Sequence, residues 1–576
     1  MTYETLLGSS GVVSGESDLW CTYAAVRTLG WLGRVGDLPS PESVAGFLAS
    51  RQNSDGGFAW SAGMTSDAWA TYYCTQALAE LPAHSRGTTA RPSSAWVRGT
   101  AHADGGFAMT PGQASDVWAT YYAVRTLVEI HGEQPPEALF DWLAALQTED
   151  GGLAWSPAHA KNGVSDVRAC YYAVTAWSTA TGGRGPLPWD RARLTDWLQA
   201  RQSAAGGFTF RPGDATDCLW ATFRATGALA RLGEAPRDPA GCVAWIRDRL
   251  HPEGSFTRWP GYPVPDVWAA FCAVGALREL GAGLDDVADG VVRTVLSFRT
   301  GQGGFTYRVP GLASDVLTTS AQLMAGRLRD AEARDALRWT ESCMLPNEDG
   351  IMYMPGRGSE VRCTLWALSA GAFRDDTPAR ARVADWLTGV IQNPDGGFGY
   401  WEGRASDMVS TCAAAEILHG TAGTSAAASL RGVAGYVASC EVAPGRYANV
   451  PGGRPTLRAT LQGLRALHRA TGADGTLAGD ALARHRVRGG GFANEGNRVP
   501  DLLSTYEAVL AADVFGLDWD TGHLSRFLDS VRTADGTFAW TPLMGTGGGP
   551  LADCLGRCLE ARLSPGRAAL PPLALS

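Results

Sequence analysis

Asp104-Gly105-Gly106-Phe107, a short loop with Pro111-Gly112, and then Ser115-Asp116-Val117-Trp118-Ala119-Thr120-Tyr121-Tyr122-Ala123-Val124-Arg125-Thr126-Leu127 decide how this sequence is read. Two adjacent glycines permit a positive φ and a close backbone approach, so they mark a tight turn. Ser-Asp then offers an N-cap and a negative charge at the positive end of a helix dipole. The helix that follows carries tryptophan, paired tyrosines and a late arginine.

The unit returns along the whole chain. Taking the acid before each aromatic helix as a marker gives Asp18, Asp67, Asp116, Asp166, Asp217, Asp266, Asp315, Glu360, Asp407, Thr456 in place of an acid, Asp501 and Asp553, at steps of about 45 to 52 residues. Threonine recurs four residues later, as at Thr22, Thr71, Thr120, Thr319, Thr364, Thr411, Thr460 and Thr505. Between markers lies a second amphipathic segment, for example Pro41 to Arg51, Pro136 to Gln147, Asp190 to Gln202 and Pro378 to Gln392. A fixed period of this length marks an array of helix pairs that bury their faces by stacking or by closing into a ring.

The totals agree with an array. At 576 residues the chain exceeds one ordinary core, and its 72 glycines sit at repeated places. A net charge of −9 argues against general nucleic-acid binding. The 12 cysteines fall mostly within helix patterns (Cys21, Cys74, Cys170, Cys272, Cys412), which reads as reduced core residues in a cytoplasmic protein. Met1 to Gly15 shows no leader pattern, and no apolar run is long enough to span a membrane.

Gln52 to Trp60, Gln147 to Trp155 and Gln392 to Trp401 carry Gln, a few residues, then Gly-Gly-Phe (or Leu)-x-Trp. This resembles the QW repeat of triterpene cyclases. The Asp-x-x-x-Thr-Tyr-x-Ala helix, and Asp166-Val167-Arg168-Ala169-Cys170-Tyr171, resemble the repeat of protein prenyltransferase β subunits. The resemblance implies an all-α fold of two (α/α)6 toroids, one over 1–300 and one over 301–576, with the first helix able to cross to the second barrel. It is the double-barrel arrangement of class II terpene cyclases.

That family protonates an alkene or epoxide through the middle acid of Asp-x-Asp-Asp in a dry aromatic chamber. The counterpart here is Asp315-Val316-Leu317-Thr318-Thr319, in which Leu317 and Thr318 replace the two acids. Asp217-Cys218 is the nearest approach to the prenyltransferase zinc pattern, with the cysteine adjacent to the aspartate and no histidine early in an aromatic helix. Asp285-Asp286-Val287-Ala288-Asp289 spells a magnesium-diphosphate pattern, but it opens an outer helix, where acids favour the dipole. No metal or other cofactor is expected, except Mg2+ if a diphosphate is bound.

Helical phase puts positions two, six and nine past each marker on one face of the inner helix. That face carries Trp69, Tyr73, Trp118, Tyr122, Arg125, Arg168, Tyr172, Arg362 and Trp366, and only two acids, Glu416 and Glu507. Aromatic faces stabilise carbocations, and arginines suit a diphosphate. The expectation is a terpene cyclase-like enzyme of secondary metabolism that acts on a polyprenyl (di)phosphate or prenylated metabolite. Its acid would be Asp315 by motif position, or Glu416 or Glu507 by lumen phase. The alternatives are a prenyl-diphosphate-dependent transferase, and a non-catalytic toroid that binds a lipid or a protein partner. The expected partner is a hydrophobic isoprenoid, with peripheral membrane contact and no nucleic acid.

Overall fold

The computed structural model describes residues 11–61, 63–86, 91–355, 357–421, 424–496, 498–564 and 569–575. Residues 1–10, where no leader is expected, lie outside them. The chain is mostly helical. Its one ladder among the described residues is β1 (Glu441–Ala443) with β2 (Arg446–Tyr447).

Helices alternate between inner and outer. In the first unit the inner ones are α1 (Leu19–Trp31), α3 (Ala68–Glu80), α5 (Val117–Arg125), α7 (Val167–Thr181), α9 (Leu219–Leu232) and α11 (Val267–Glu279). Between and after them run the outer α2 (Pro41–Ala49), α4 (Ser94–Arg98), α6 (Ala138–Ala144), α8 (Arg191–Gln199), α10 (Pro239–Arg247) and α12 (Asp285–Ser297). Each inner helix packs on the next, and α11 packs on α1, so the unit is a closed ring of six.

The second unit repeats the plan. Its inner helices are α13 (Val316–Met324), α15 (Val361–Ser369), α17 (Met408–His419), α19 (Leu457–Thr471), α21 (Leu502–Phe515) and α23 (Gly549–Leu563), and α23 closes on α13. Its outer helices are α14 (Asp330–Ser342), α16 (Thr377–Trp386), α18 (Thr424–Ser439), α20 (Thr476–His485) and α22 (Thr521–Val531).

The recurring residues of the sequence each have a scaffold task. The marker acid accepts a backbone N–H of the first helical turn, as Asp116 does from Ala119 and Asp407 from Ser410, both at 2.8 Å. The threonine four residues on accepts the N–H of the turn's apolar residue at 2.9 to 3.0 Å: Phe58 to Thr71, Phe107 to Thr120, Ile351 to Thr364, Phe398 to Thr411. The glutamine after an outer helix donates to its own glycine turn and to the segment leading into the next outer helix, as Gln52 does to Gly56 and Arg91. Gly105 has φ +99° and lies against the backbone of Ala138. A Cβ on Gly106 would fall 2.6 Å from the Trp142 ring, so the tryptophan of one outer helix seals the preceding turn.

The markers before α9 and in α23 depart from the capping pattern. In the fifth repeat α9 starts one residue late: the Cys218 sulfur accepts from Ala221, while Asp217 accepts from Ser203. Asp553 lies inside α23 and pairs with Arg557 at 3.0 Å and Arg327 at 2.9 Å.

Contacts divide the chain into two units with one boundary between Ala313 and Ser314, and hydrogen bonds mark it. The turn residue Phe305 serves Thr22 of α1 at 3.0 Å and so closes the first ring. Thr319 of α13 takes its N–H from Val12 instead, at 2.9 Å. The helix α1 stays in the first ring, and of the described residues before it only Gly11 and Val12 belong with the second unit.

Candidate functional site

The mouth of each ring, where inner helices begin, is built from cap residues and the turns beside them. In the second ring one cap departs from the pattern. Glu360 precedes α15 with extended backbone, yet its side chain makes no capping bond. The extra methylene of glutamate carries the carboxyl past the backbone N–H groups.

There Oε2 accepts from the Tyr400 hydroxyl and from the Cys363 thiol at 3.1 Å. Among the described residues Oε1 has no hydrogen-bond partner, and Arg357 Nε stands 3.5 Å from it. The residue is fully buried. Around it the Arg357 guanidinium lies over Tyr353 at 5.2 Å and Trp401 at 5.6 Å, the Arg362 guanidinium lies over Tyr400 at 4.3 Å, and Tyr400 stacks on Trp401 at 5.8 Å. Burial, reinforced by Glu360, pushes the Tyr400 phenol and the Cys363 thiol well above their usual range, so both stay protonated donors. Burial opposes the charge on Arg362, but Tyr400, Asp407 and Glu360 outweigh it and hold the guanidinium charged. The carboxyl thus receives neutral donors on Oε2, while Oε1 faces the Arg357 guanidinium.

The sequence reading did not select Glu360. The signal was present: it is the one glutamate among eleven acidic markers at positions otherwise held by aspartate. Asp315, expected as the acid by motif position, caps α13 through Thr318 N at 2.8 Å, as its counterparts cap their helices.

Glu416 and Glu507 do reach the lumen of the second ring, but as partners of arginine. Arg465 donates to Glu416 Oε1 at 2.8 Å and to Glu507 Oε2 at 2.6 Å, and Arg469 donates to Glu416 Oε2 at 2.8 Å. Glu507 Oε1 accepts from Gln462 at 2.6 Å. Guanidinium donors thus occupy both oxygens of Glu416 and one of Glu507, and burial raises the Glu507 carboxyl against the pull of Arg465. Trp366 is buried in an apolar cluster of the same ring.

The first ring gathers the other expected residues into a solid stack. Trp69 lies 5.6 Å from Trp118 and stacks on Tyr122 at 5.7 Å, Tyr73 stacks on Tyr23 at 4.0 Å, and Trp118 meets Tyr172 at 4.6 Å. Trp20 and Trp118 both reach Trp220 across the ring, at 6.2 and 6.4 Å, so side chains fill the lumen at this level. The arginines expected to share a diphosphate each have partners of their own in this structure. Arg125 is held by Glu129 at 2.6 and 2.8 Å and by the Tyr121 hydroxyl at 2.6 Å. Arg168 is bidentate on Asp166, at 2.9 Å for both bonds, and its guanidinium lies over Phe210 at 4.2 Å. Arg362 belongs to the other unit.

The acids of α12 are likewise engaged. Asp286 pairs with Arg247 at 2.9 Å and Asp289 with Arg34 at 2.7 Å. Among the described residues no cluster of three or more His, Cys, Asp or Glu could hold a metal ion.

Comparison with known families matches the prenyltransferase alpha-alpha toroid domain over residues 4–78, 60–183, 185–315, 313–469 and 458–548. The chain belongs to the prenyltransferase α/α-toroid family. Comparison with curated proteins finds no match. Among solved structures, ent-copalyl diphosphate synthase from Streptomyces platensis aligns at 16% identity over 97% of this chain and 98% of that one, with a TM-score of 0.35. A variant of the type II terpene cyclase MstE from Scytonema, in complex with geranylgeranyl dihydroxybenzoate, aligns at 18% identity over 49% of this chain and 85% of that one, with a TM-score of 0.34. Candida albicans protein geranylgeranyltransferase-I with GGPP aligns at 18% identity over 36% of this toroid chain, which spans 66% of the enzyme chain, with a TM-score of 0.29.

Proposed function

We propose that this toroid protein is a terpene cyclase-like enzyme that acts on a polyprenyl diphosphate or a prenylated metabolite, with Glu360 as its atypical acid. The observation that carries the reading is the diverted cap. A buried carboxyl, released from its scaffold task, has one oxygen held by neutral donors and the other without a hydrogen bond, 3.5 Å from Arg357 Nε. Membership of the prenyltransferase toroid family supports an isoprenoid ligand.

In this reading the Glu360 carboxyl transfers its proton from Oε1 to the terminal alkene carbon of the substrate. The alkene electron pair forms the new C–H bond, and the neighbouring carbon becomes a tertiary cation. The next alkene closes on that cation, forming a ring bond. The faces of Tyr353, Tyr400 and Trp401 stabilise the positive charge through their quadrupoles. Loss of a proton to water ends the cascade, and solvent returns a proton to Glu360. Trp69, Tyr73, Trp118, Tyr122 and Tyr172 serve as the rigid core of the first ring in this account.

The test is incubation of the purified protein with geranylgeranyl diphosphate, squalene and a prenylated phenol, followed by extraction and mass spectrometry. Cyclised product is expected from one of them, and Glu360→Gln reduces its rate by roughly 10³-fold. Binding of these ligands without cyclisation by the wild-type protein would establish a non-catalytic toroid instead.

A further inference from the structure

Leu570-Pro571-Pro572-Leu573-Ala574-Leu575 follow α23 where a twelfth outer helix would be expected, and they form neither helix nor strand. Leu570, Leu573, Ala574 and Leu575 are nevertheless buried. A buried backbone outside regular structure must find partners for its polar groups. Here side chains of the inner helices supply most of them. Tyr506 donates to the Pro571 carbonyl at 2.8 Å, and Arg465 donates to the Leu573 carbonyl at 3.0 Å. Gln462 donates to the Leu575 carbonyl at 2.7 Å, while the Leu575 N–H donates to Glu507 Oε1 at 2.9 Å. The two prolines bring no N–H that would need a partner. The leucines join an apolar cluster with Ala321 of α13, Trp366 of α15, Tyr506 of α21 and Leu555 of α23, so the segment lies within the ring.

An apolar filler would not call for this chemistry. A lumen lined by aliphatic side chains holds an apolar plug with less desolvation than one containing Arg465, Glu416 and Glu507. What the charged network adds is recognition of a main chain. Leu575 is gripped on both its amide and its carbonyl by two residues that are bonded to each other. We propose that the lumen of the second ring is a binding site for an extended Pro-Pro-Leu-Ala-Leu peptide, occupied in cis by residues 570–575. The leucines set the fit, and Gln462, Arg465, Glu507 and Tyr506 read the backbone. This site is independent of the reaction assigned to Glu360.

The test introduces a protease site between Ser564 and Ala569 in the full chain and cuts the folded protein. The severed segment is expected to stay bound through gel filtration and to be chased by an excess of labelled synthetic peptide with the sequence of residues 569–576. Gln462→Leu speeds its exit roughly tenfold, the equivalent of about 1.4 kcal/mol. Hydrogen exchange on the uncut chain gives a reading that does not depend on any variant folding, and it shows the Leu575 amide protected. Loss of the segment on cutting with no rebinding of the labelled peptide would overturn the proposal. So would an exit rate unchanged in Gln462→Leu, or a Leu575 amide that exchanges as in an unstructured chain.

Discussion

The two rings are built from one repeat and fill their centres in opposite ways. In the first, α1, α3, α5, α7, α9 and α11 turn tryptophans and tyrosines inward until they meet across the ring. In the second, the equivalent positions hold Arg465, Glu416, Glu507 and Gln462, and the space between is taken by the chain's own backbone. The same scaffold accepts both because its contacts are elsewhere. Cap acid, threonine, double glycine and glutamine fix the hairpins and the spacing of the ring, and they leave the inward face free to vary.

This contrast is broken most sharply at Arg465. Arg465→Ala leaves Glu416 and Glu507 buried without their cation, and is expected to destabilise the second ring by about 4 kcal/mol. Hydrogen exchange mapped along the chain should show the loss in α17, α19 and α21, with α1 to α11 unchanged. Trp118→Ala is the corresponding change in the first ring, where an aromatic cavity costs about 3 kcal/mol and the loss should map to α3, α5 and α7. If both variants loosen both rings equally, the rings are not energetically separate. Gly106→Ala drives a methyl into Trp142 and should cost about 2 kcal/mol in chemical denaturation, because the turn, not the lumen, is overfilled.

The smallest effect is one of pH. Burial raises the Asp67 carboxyl from its ordinary 3.8 to about 6. The folded first ring therefore binds that proton more tightly than the unfolded chain does. This contribution to stability is complete below about pH 4 and is lost as pH rises through about 6. Asp67→Asn should flatten that part of the stability profile, measured as denaturation midpoints between pH 4 and 7.

The scaffold was legible because each of its parts recurs. Twelve markers, the threonine and the glycine turn announce twelve inner helices, and the rings contain them. The exceptions are local substitutions: Cys218 takes over a cap, and Asp553 forms ion pairs within its helix. The lumen was legible only in part. Helical phase placed Trp69, Trp118, Glu416 and Glu507 on the inward face, but phase gives direction and not company. Arg465 meets Glu416 and Glu507 because their helices are neighbours in a closed ring, at separations of 49 and 42 residues. The plug at residues 570–575 has no periodicity to betray it. Glu360 differs from its counterparts by one methylene, a change that matters only when the cap geometry is seen.

That methylene carries the central claim, and an isotope reads it directly. Cyclisation run in D2O should place one deuterium on the carbon that receives the initiating proton, and Glu360→Gln should abolish the labelled product while circular dichroism shows the fold retained. Labelled product formed at the wild-type rate by Glu360→Gln would contradict the assignment of Glu360 as the acid.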